Sequence, residues 1–284
     1  MIKTNIPIND FIENLNINKN ALYILPPTNN NLMMGYLIVF NKQIIMVDSG
    51  NFVDYNYQKE IIYKLGGVID YLVITHCHCD HYGSASKMME DSKITIKNLV
   101  YNFPPFEEIE RVTAPHEIEF LHEFIKTLSN YKGKVIIPYK GYIISLDGIS
   151  FNFLNNPYPS ISDVNDQSIC FRVDIDNTPM IMFLGDLSTI SSDCLLKEYK
   201  DYENVLKCKY CQLAHHGQNG GSMELYQTIK PKYALWSGPK WIYDNDNGNG
   251  KDTGPLTSRQ TEKWLKELNV ASIFAWFDIT SIDL

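Results

Sequence analysis

No apolar run in this 284-residue chain reaches the length of a membrane span. Positive charge is also short: 25 Lys and Arg stand against 33 Asp and Glu, a net charge of −8. That balance leaves no broad basic surface for a nucleic-acid backbone. The first residues, Met1-Ile2-Lys3-Thr4-Asn5, lack the charged-then-apolar layout of a signal peptide. Low-complexity tracts, linkers and short-period repeats are missing as well. Cysteine is sparse, six in all, and only Cys208-Lys209-Tyr210-Cys211 has C-x-x-C spacing. No second such pair completes a zinc knuckle, and the run around it is strand-like, so the spacing reads as coincidence and no disulfides are expected. A cytoplasmic protein with no membrane partner is the expectation. Apolar residues make up 44% and charged residues 20%, enough for a substantial core in one large domain or two small ones.

Residues 1–30 are polar and end in the loop Pro26–Asn31. Gly35–Phe40 and Gln43–Val47 are strand candidates joined by Asn41-Lys42, a hairpin signal. Tyr57–Leu65 has helical spacing and stops at Gly66-Gly67. Tyr71–Ile74 is a buried strand candidate, followed by a helix from Asp80 to about Glu90. An aromatic, Pro-containing loop precedes a helix over Pro115–Leu128. Further strands are expected at 135–137, 142–144, 149–154, 168–173, 180–184, 210–214, 233–236 and 272–276. Helices are expected at Cys194–Tyr199, Met223–Ile229 and Ser258–Leu268, the last with a capping box of Thr257 and Gln260. Residues 239–254, dense in Asn, Asp and Gly, read as a mobile loop. The pattern repeats coarsely: about 1–133 and 134–284 each give strands, a polar strand tip and a helix. The two halves are expected to form a single domain over 1–284.

The chain has only seven histidines, and three of them fall in Thr75-His76-Cys77-His78-Cys79-Asp80-His81. In an extended segment His76 and His78 point to one face and can grip one ion, while Cys77 and Cys79 point away as core filler. After the turn, Asp80 and His81 can face a second ion. Imidazole and carboxylate suit zinc, and also iron or manganese. A helix beginning at the motif would also leave N–H groups nearby for an anionic ligand. Other strand tips carry related groups. Asp48 is either a turn cap or the carboxylate that holds a ligand histidine in its tautomer. Asp186 follows an apolar strand and Gly185, and a carboxylate there can bridge two cations. His215 and His216 follow the strand 210–214. His116 and His122 read as surface helix residues.

The HxHxDH run, the Gly185-Asp186 tip and His215-His216-Gly217 together resemble the metallo-β-lactamase superfamily. Asn165–Ile169, Phe183–Leu187 and Ala214–Gly217 are similar to one branch of it. That branch includes the hydrolase domain of competence DNA-uptake channel proteins and the phosphorylcholine esterase. The resemblance spans roughly residues 35–284. It implies an α/β fold, a four-layer αββα sandwich, with two zinc ions (iron or manganese as alternatives) in a shallow edge groove. His76 and His78 would take one ion, Asp80 and His81 the other, with Asp186 between them. One of His215 and His216 would complete the second ion's ligands, and its neighbour would meet the substrate's oxyanion or protonate the leaving group. The usual third histidine has no counterpart; Asp163, Asn165, Asp166 or water stands in its neighbourhood, with Asn165 placed behind the ligands. Gly83-Ser84 replaces the more usual Gly-Gly. The implied activity is hydrolysis of a phosphodiester or related phosphoester by a hydroxide bridged between the ions, with Asp80, Asp186 and His216 as the catalytic set. Lactone or β-lactam opening, or a non-catalytic metal-binding module, are the alternatives. Loops 101–115, 155–166 and 239–254 would choose the substrate, with Tyr82, Trp236 and Trp241 as candidate aromatic walls.

Overall fold

The strongest apolar runs become strands buried from end to end, as at Gly35–Phe40. In a computed structural model that describes residues 1–158 and 163–284, the chain divides into two units, Met1–Ile137 with Ala275–Leu284, and Pro138–Phe274. The first unit runs β1 (Ile2–Ile6), α1 (Ile8–Asn14), β2 (Ala21–Ile24), β3 (Gly35–Phe40), β4 (Gln43–Ser49) and α2 (Tyr55–Lys64). It continues with β5 (Val68–Val73), α3 (Cys79–Glu90), β6 (Thr95–Val100), α4 (Phe106–Val112), α5 (Ile118–Asn130) and β7 (Lys134–Ile136). The β3–β4 link is a tight hairpin, with Asn41 at φ 46° and Lys42 at φ 65°. From β4 to β7 the strands are parallel, and each crossover passes through helix.

The second unit opens with an antiparallel series, β8 (Ile143–Leu146), β9 (Ile149–Phe153), β10 (Phe171–Ile175) and β11 (Thr178–Phe183). Then α6 (Thr189–Glu198) leads to β12 (Tyr210–Gln212), and α7 (Met223–Ile229) to β13 (Tyr233–Ser237), both parallel to β11. The short α8 (Lys240–Asp244) and α9 (Ser258–Glu267) lead to β14 (Ala271–Ala275) on the sheet edge. The chain then returns to the first unit as β15 (Ile279–Asp283), between β1 and β2. The class is the α/β one expected, with one mixed sheet and its helices in each unit.

Parallel pairing decides where the polar tips lie. Val47 pairs with Val73, so the ends of β4 and β5 share one sheet edge. Likewise Met182 pairs with Cys211 and Cys211 with Ala234, which aligns the ends of β11, β12 and β13. Carboxyl ends of parallel strands are where ligands collect in such sheets.

Several elements differ from the sequence reading. Residues 1–30, which gave no element signal, hold β1, α1 and β2. The strand β6 and the helix α4 also went unread, and α6 starts five residues before Cys194. The stretch 239–254 is not all loop: it contains α8, and Asn245 Oδ1 accepts from Leu256 N at 2.8 Å while Arg259 pairs with Asp252 at 2.6 Å. The capping box at α9 is not formed, because Thr257 Oγ1 accepts instead from Asn219 N at 2.8 Å. Of the expected loop 155–166, residues 159–162 lie outside the described residues. All six cysteines are free thiols. Among the described residues no helix is long and apolar enough to cross a membrane.

Candidate metal centre

In the first unit β5 stops at Val73 and α3 starts at Cys79, so the HxHxDH run occupies the link and the first helical turn. His76 Nε2 and His78 Nδ1 face each other at 3.1 Å. Ligand bonds of 2.0–2.1 Å around tetrahedral zinc place neighbouring donors roughly 3.3 Å apart, so this pair fits one ion. His81 is fixed from behind. Its Nδ1 lies 2.9 Å from Asp48 Oδ2, and its Nε2 lies 3.6 Å from Asp80 Oδ2. Asp48 is in turn held by Thr75, through the backbone N at 2.8 Å and Oγ1 at 2.9 Å. Burial pushes the Asp48 carboxyl above its usual range, while the charge and hydrogen bond of His81 and the two Thr75 donors pull the other way. Asp48 adopts φ 51°, a left-handed conformation that costs about 1–2 kcal/mol and is met at strand tips that re-aim a side chain.

Two contacts seat α3. Ser49 Oγ donates to His81 O at 3.0 Å and accepts from Ala85 N at 2.8 Å. A Cβ on Gly83 would lie 2.5 Å from Phe52 N and 2.8 Å from Asn51 C, so only glycine lets the helix come this close. Ser84, by contrast, has a partner for its hydroxyl in Gln58 Oε1 at 2.9 Å, which accommodates the departure from Gly-Gly. Cys77 is buried, and burial pushes the Cys79 thiol up to about 12; both stay protonated.

In the second unit Asp186 sits after β11, and His215-His216 sit after β12. His216 Nδ1 lies 3.0 Å from Ser237 O at the end of β13. A carbonyl only accepts, so Nδ1 carries the proton and Nε2 presents its lone pair 3.5 Å from Asp186 Oδ2. His215 Nε2 lies 3.8 Å from the same oxygen, and its side chain is 21% exposed against 0% for His216. Both residues take left-handed backbone, φ 51° and 55°, and Gly217 follows at φ 81° with the Trp236 ring where a Cβ would be.

One residue that sequence reasoning missed ties these tips together. Gln212, fully buried on β12, accepts from Leu184 N at 2.7 Å and Gly185 N at 2.9 Å and donates to Gly185 O at 2.9 Å. Its amide continues the sheet bonding beneath Asp186. An amide inside an otherwise apolar strand was the available signal, since a buried one must find partners. Ser168 was also missed: its Oγ accepts from Asp186 N at 2.9 Å and donates to Asn165 O at 2.7 Å.

Each unit supplies two buried candidate metal ligands, Asp80 and His81 in the first and Asp186 and His216 in the second. The donors are imidazoles and carboxylates, and within each unit their lone pairs face one another at ligand spacing, an arrangement suited to a cation. His116 and His122 have side chains 80% and 56% exposed; His122 lies on α5 as expected, whereas His116 lies in the turn before it. Of the candidate aromatic walls, Tyr82 stacks on Phe124 with centroids 4.0 Å apart, and Trp236 packs on Tyr243 and Phe274. Both are core, not wall.

Residues 35–152 match the family model of the metallo-beta-lactamase superfamily. Three solved structures share the fold. A metallo hydrolase, Igni18, of the archaeon Ignicoccus hospitalis aligns at 13% identity over 93% of this chain and 99% of its own, with TM-score 0.55. The metallo-beta-lactamase fold protein YhfI of Bacillus subtilis aligns at 11% identity over 92% and 98%, with TM-score 0.57. CmlA, a diiron beta-hydroxylase of Streptomyces venezuelae, aligns at 10% identity over 94% of this chain and 54% of its own, with TM-score 0.59. No curated protein matches the chain in sequence. The chain therefore has the α/β metallo-β-lactamase fold.

Proposed function

We propose that this protein of metallo-β-lactamase fold is a metal-dependent hydrolase of phosphodiesters or related phosphoesters. On this reading the chain is one functional domain with a dinuclear centre. The observation that carries the proposal is the fixing of His81 and His216 from behind, by Asp48 Oδ2 and Ser237 O, so that each turns Nε2 toward a buried aspartate. Such backing partners orient a metal-binding imidazole and raise its basicity. His76 and His78 would hold one ion, Asp80, His81 and His216 the other, and Asp186 both.

When bound, a pair of divalent cations supplies a water-derived nucleophile near neutral pH and offsets charge that develops on a phosphoryl group. The chain's own groups do the rest. Gln212 holds the backbone of Gly185 and Ser168 Oγ accepts from Asp186 N, which fixes the turn that presents the Asp186 carboxylate. His216 is completely buried and serves as a ligand, whereas His215, partly exposed beside the same aspartate, delivers a proton to the departing oxygen. No serine or cysteine nucleophile is needed, consistent with the protonated Cys77 and Cys79.

Zinc- or manganese-loaded protein is expected to cleave bis-aryl phosphates, with the rate lost in Asp186→Ala. Equal rates in the two would overturn the reading. Opening of a chromogenic β-lactam or a lactone in place of phosphate cleavage would replace the substrate class while keeping the metal chemistry.

A further inference from the structure

The first unit carries a second set of polar side chains that the proposed hydrolysis does not use. Lys3 on β1 is paired with Ser281 on β15, and Ser281 with Tyr23 on β2. Directly opposed residues of antiparallel strands put their side chains on one face of the sheet. Ammonium, hydroxyl and phenol therefore form a row across three strands, and all three line a groove of about 330 Å³. Its apolar wall is Ile6 on β1, Phe11 on α1 and Leu15 just after that helix. The Phe11 ring meets Tyr23 edge-on, with centroids 4.8 Å apart. In the sheet, β3 lies between β2 and the strands β4 and β5 whose tips carry Asp48 and the HxHxDH run.

Ser281 is 2% exposed, and its Oγ is buried without a hydrogen-bond partner. Buried hydroxyls are ordinarily bonded, so one left open on a groove marks a place for a ligand atom. Tyr23 is buried as well. Burial, and then the charge of Asp283, push its phenol up to about 12, so it remains a donor at neutral pH. Of the two lysines on the groove, Lys19 is held by Asp283 at 2.7 Å, whereas Lys3 is exposed and enters no ion pair among the described residues. Asp10, exposed on α1, also lines the groove, and it repels a doubly charged anion more than a singly charged one.

We propose that this groove binds a small monocarboxylate with an apolar body. Lys3 Nζ, Ser281 Oγ and Tyr23 Oη meet its carboxylate, and Phe11, Leu15 and Ile6 cover its body. The volume falls at the lower end of the range for ligand sites, about 300–1,000 Å³, so the body is a short chain or a single ring. None of these residues belongs to the proposed metal centre, so the assignment holds whether or not that reading does.

The test is calorimetric titration of the full chain with octanoate, and in parallel with acetate, octanol and octyl phosphate. Octanoate is expected to bind at one site per chain, about tenfold or more tighter than acetate, because each buried methylene adds to the transfer free energy. Octanol lacks the charge and octyl phosphate carries two, so both are expected to bind more weakly than octanoate. Lys3→Gln and Ser281→Ala are each expected to weaken octanoate about fivefold. Without ligand, Ser281→Ala is expected to melt no lower than wild type, because its Oγ has no partner in the fold to lose. No octanoate binding in wild type, or equal binding in both variants, would overturn the site. Octanol or octyl phosphate binding as tightly as octanoate would overturn the assignment to a monocarboxylate. A lowered melting temperature for ligand-free Ser281→Ala would overturn the reading of its hydroxyl as open to a ligand.

Discussion

At the scale of the residue, the centre depends on groups that never meet a substrate. Asp48 sets which nitrogen of His81 faces outward. In Asp48→Asn the shape is kept but the charge that holds Nδ1–H is gone, so metal affinity is expected to fall about 10–100-fold. Competition with a chromophoric chelator measures it, and an affinity equal to wild type would show that Asp48 is only a turn cap. Gln212→Leu strips three backbone groups of Leu184 and Gly185 of their buried partners, each worth about 1–3 kcal/mol. A lowered melting temperature together with weaker metal uptake is expected. The sequence made the local part of this arrangement legible, because HxHxDH packs its donors into six consecutive residues. It left open the choice between His215 and His216. That choice is set by the Ser237 carbonyl, 21 residues further on, which no local pattern can report.

At the scale of the element, α3 is held at both ends. Its start is pressed on Asn51 and Phe52 at Gly83, so Gly83→Ala is expected to cost about 1–3 kcal/mol and to loosen Asp80 and His81. Ser84→Gly, which loses one hydrogen bond to Gln58, should cost less. Denaturant titration of the two variants ranks them, and a neutral Gly83→Ala would contradict the packing. At its other end Asp91 accepts from the hydroxyls of Tyr55 at 2.6 Å and Tyr63 at 2.5 Å, tying α2 to α3. Those two hydrogen bonds hold the Asp91 carboxyl below its usual value. A carboxyl lowered by folding adds stability that is complete above its unfolded pKa of about 3.9 and is lost as pH falls through the folded value. Wild type should therefore out-melt Asp91→Asn at neutral pH, by a small margin because the carboxylate is well solvated, and the margin should close in acid. A margin that widened in acid would contradict the hydrogen bonds. Elements missed in the sequence were those specified from far away. β1 is largely exposed and, among the described residues, pairs only with β15, from the other end of the chain, so its residues carry no alternating pattern to read. The five residues of α8 sit in an Asn-, Asp- and Gly-rich run that local propensity reads as loop. Order there comes from Arg259 on α9, which pairs with Asp244 and Asp252.

At the scale of the whole molecule, the two units repeat one plan. Each has an antiparallel series followed by parallel strands, and each ends those parallel strands in imidazole and carboxylate. The proposed function draws its donors from the polar tips of both. Substituting Asp186 is accordingly expected to weaken both ions, whereas His76→Ala weakens one. The central claim is tested most directly by electron paramagnetic resonance of the protein loaded with two equivalents of Mn²⁺. An exchange-coupled pair is expected, as for ions about 3.5–4 Å apart that share a carboxylate, with the coupling abolished in Asp186→Asn. Two magnetically isolated ions in the wild type would contradict it.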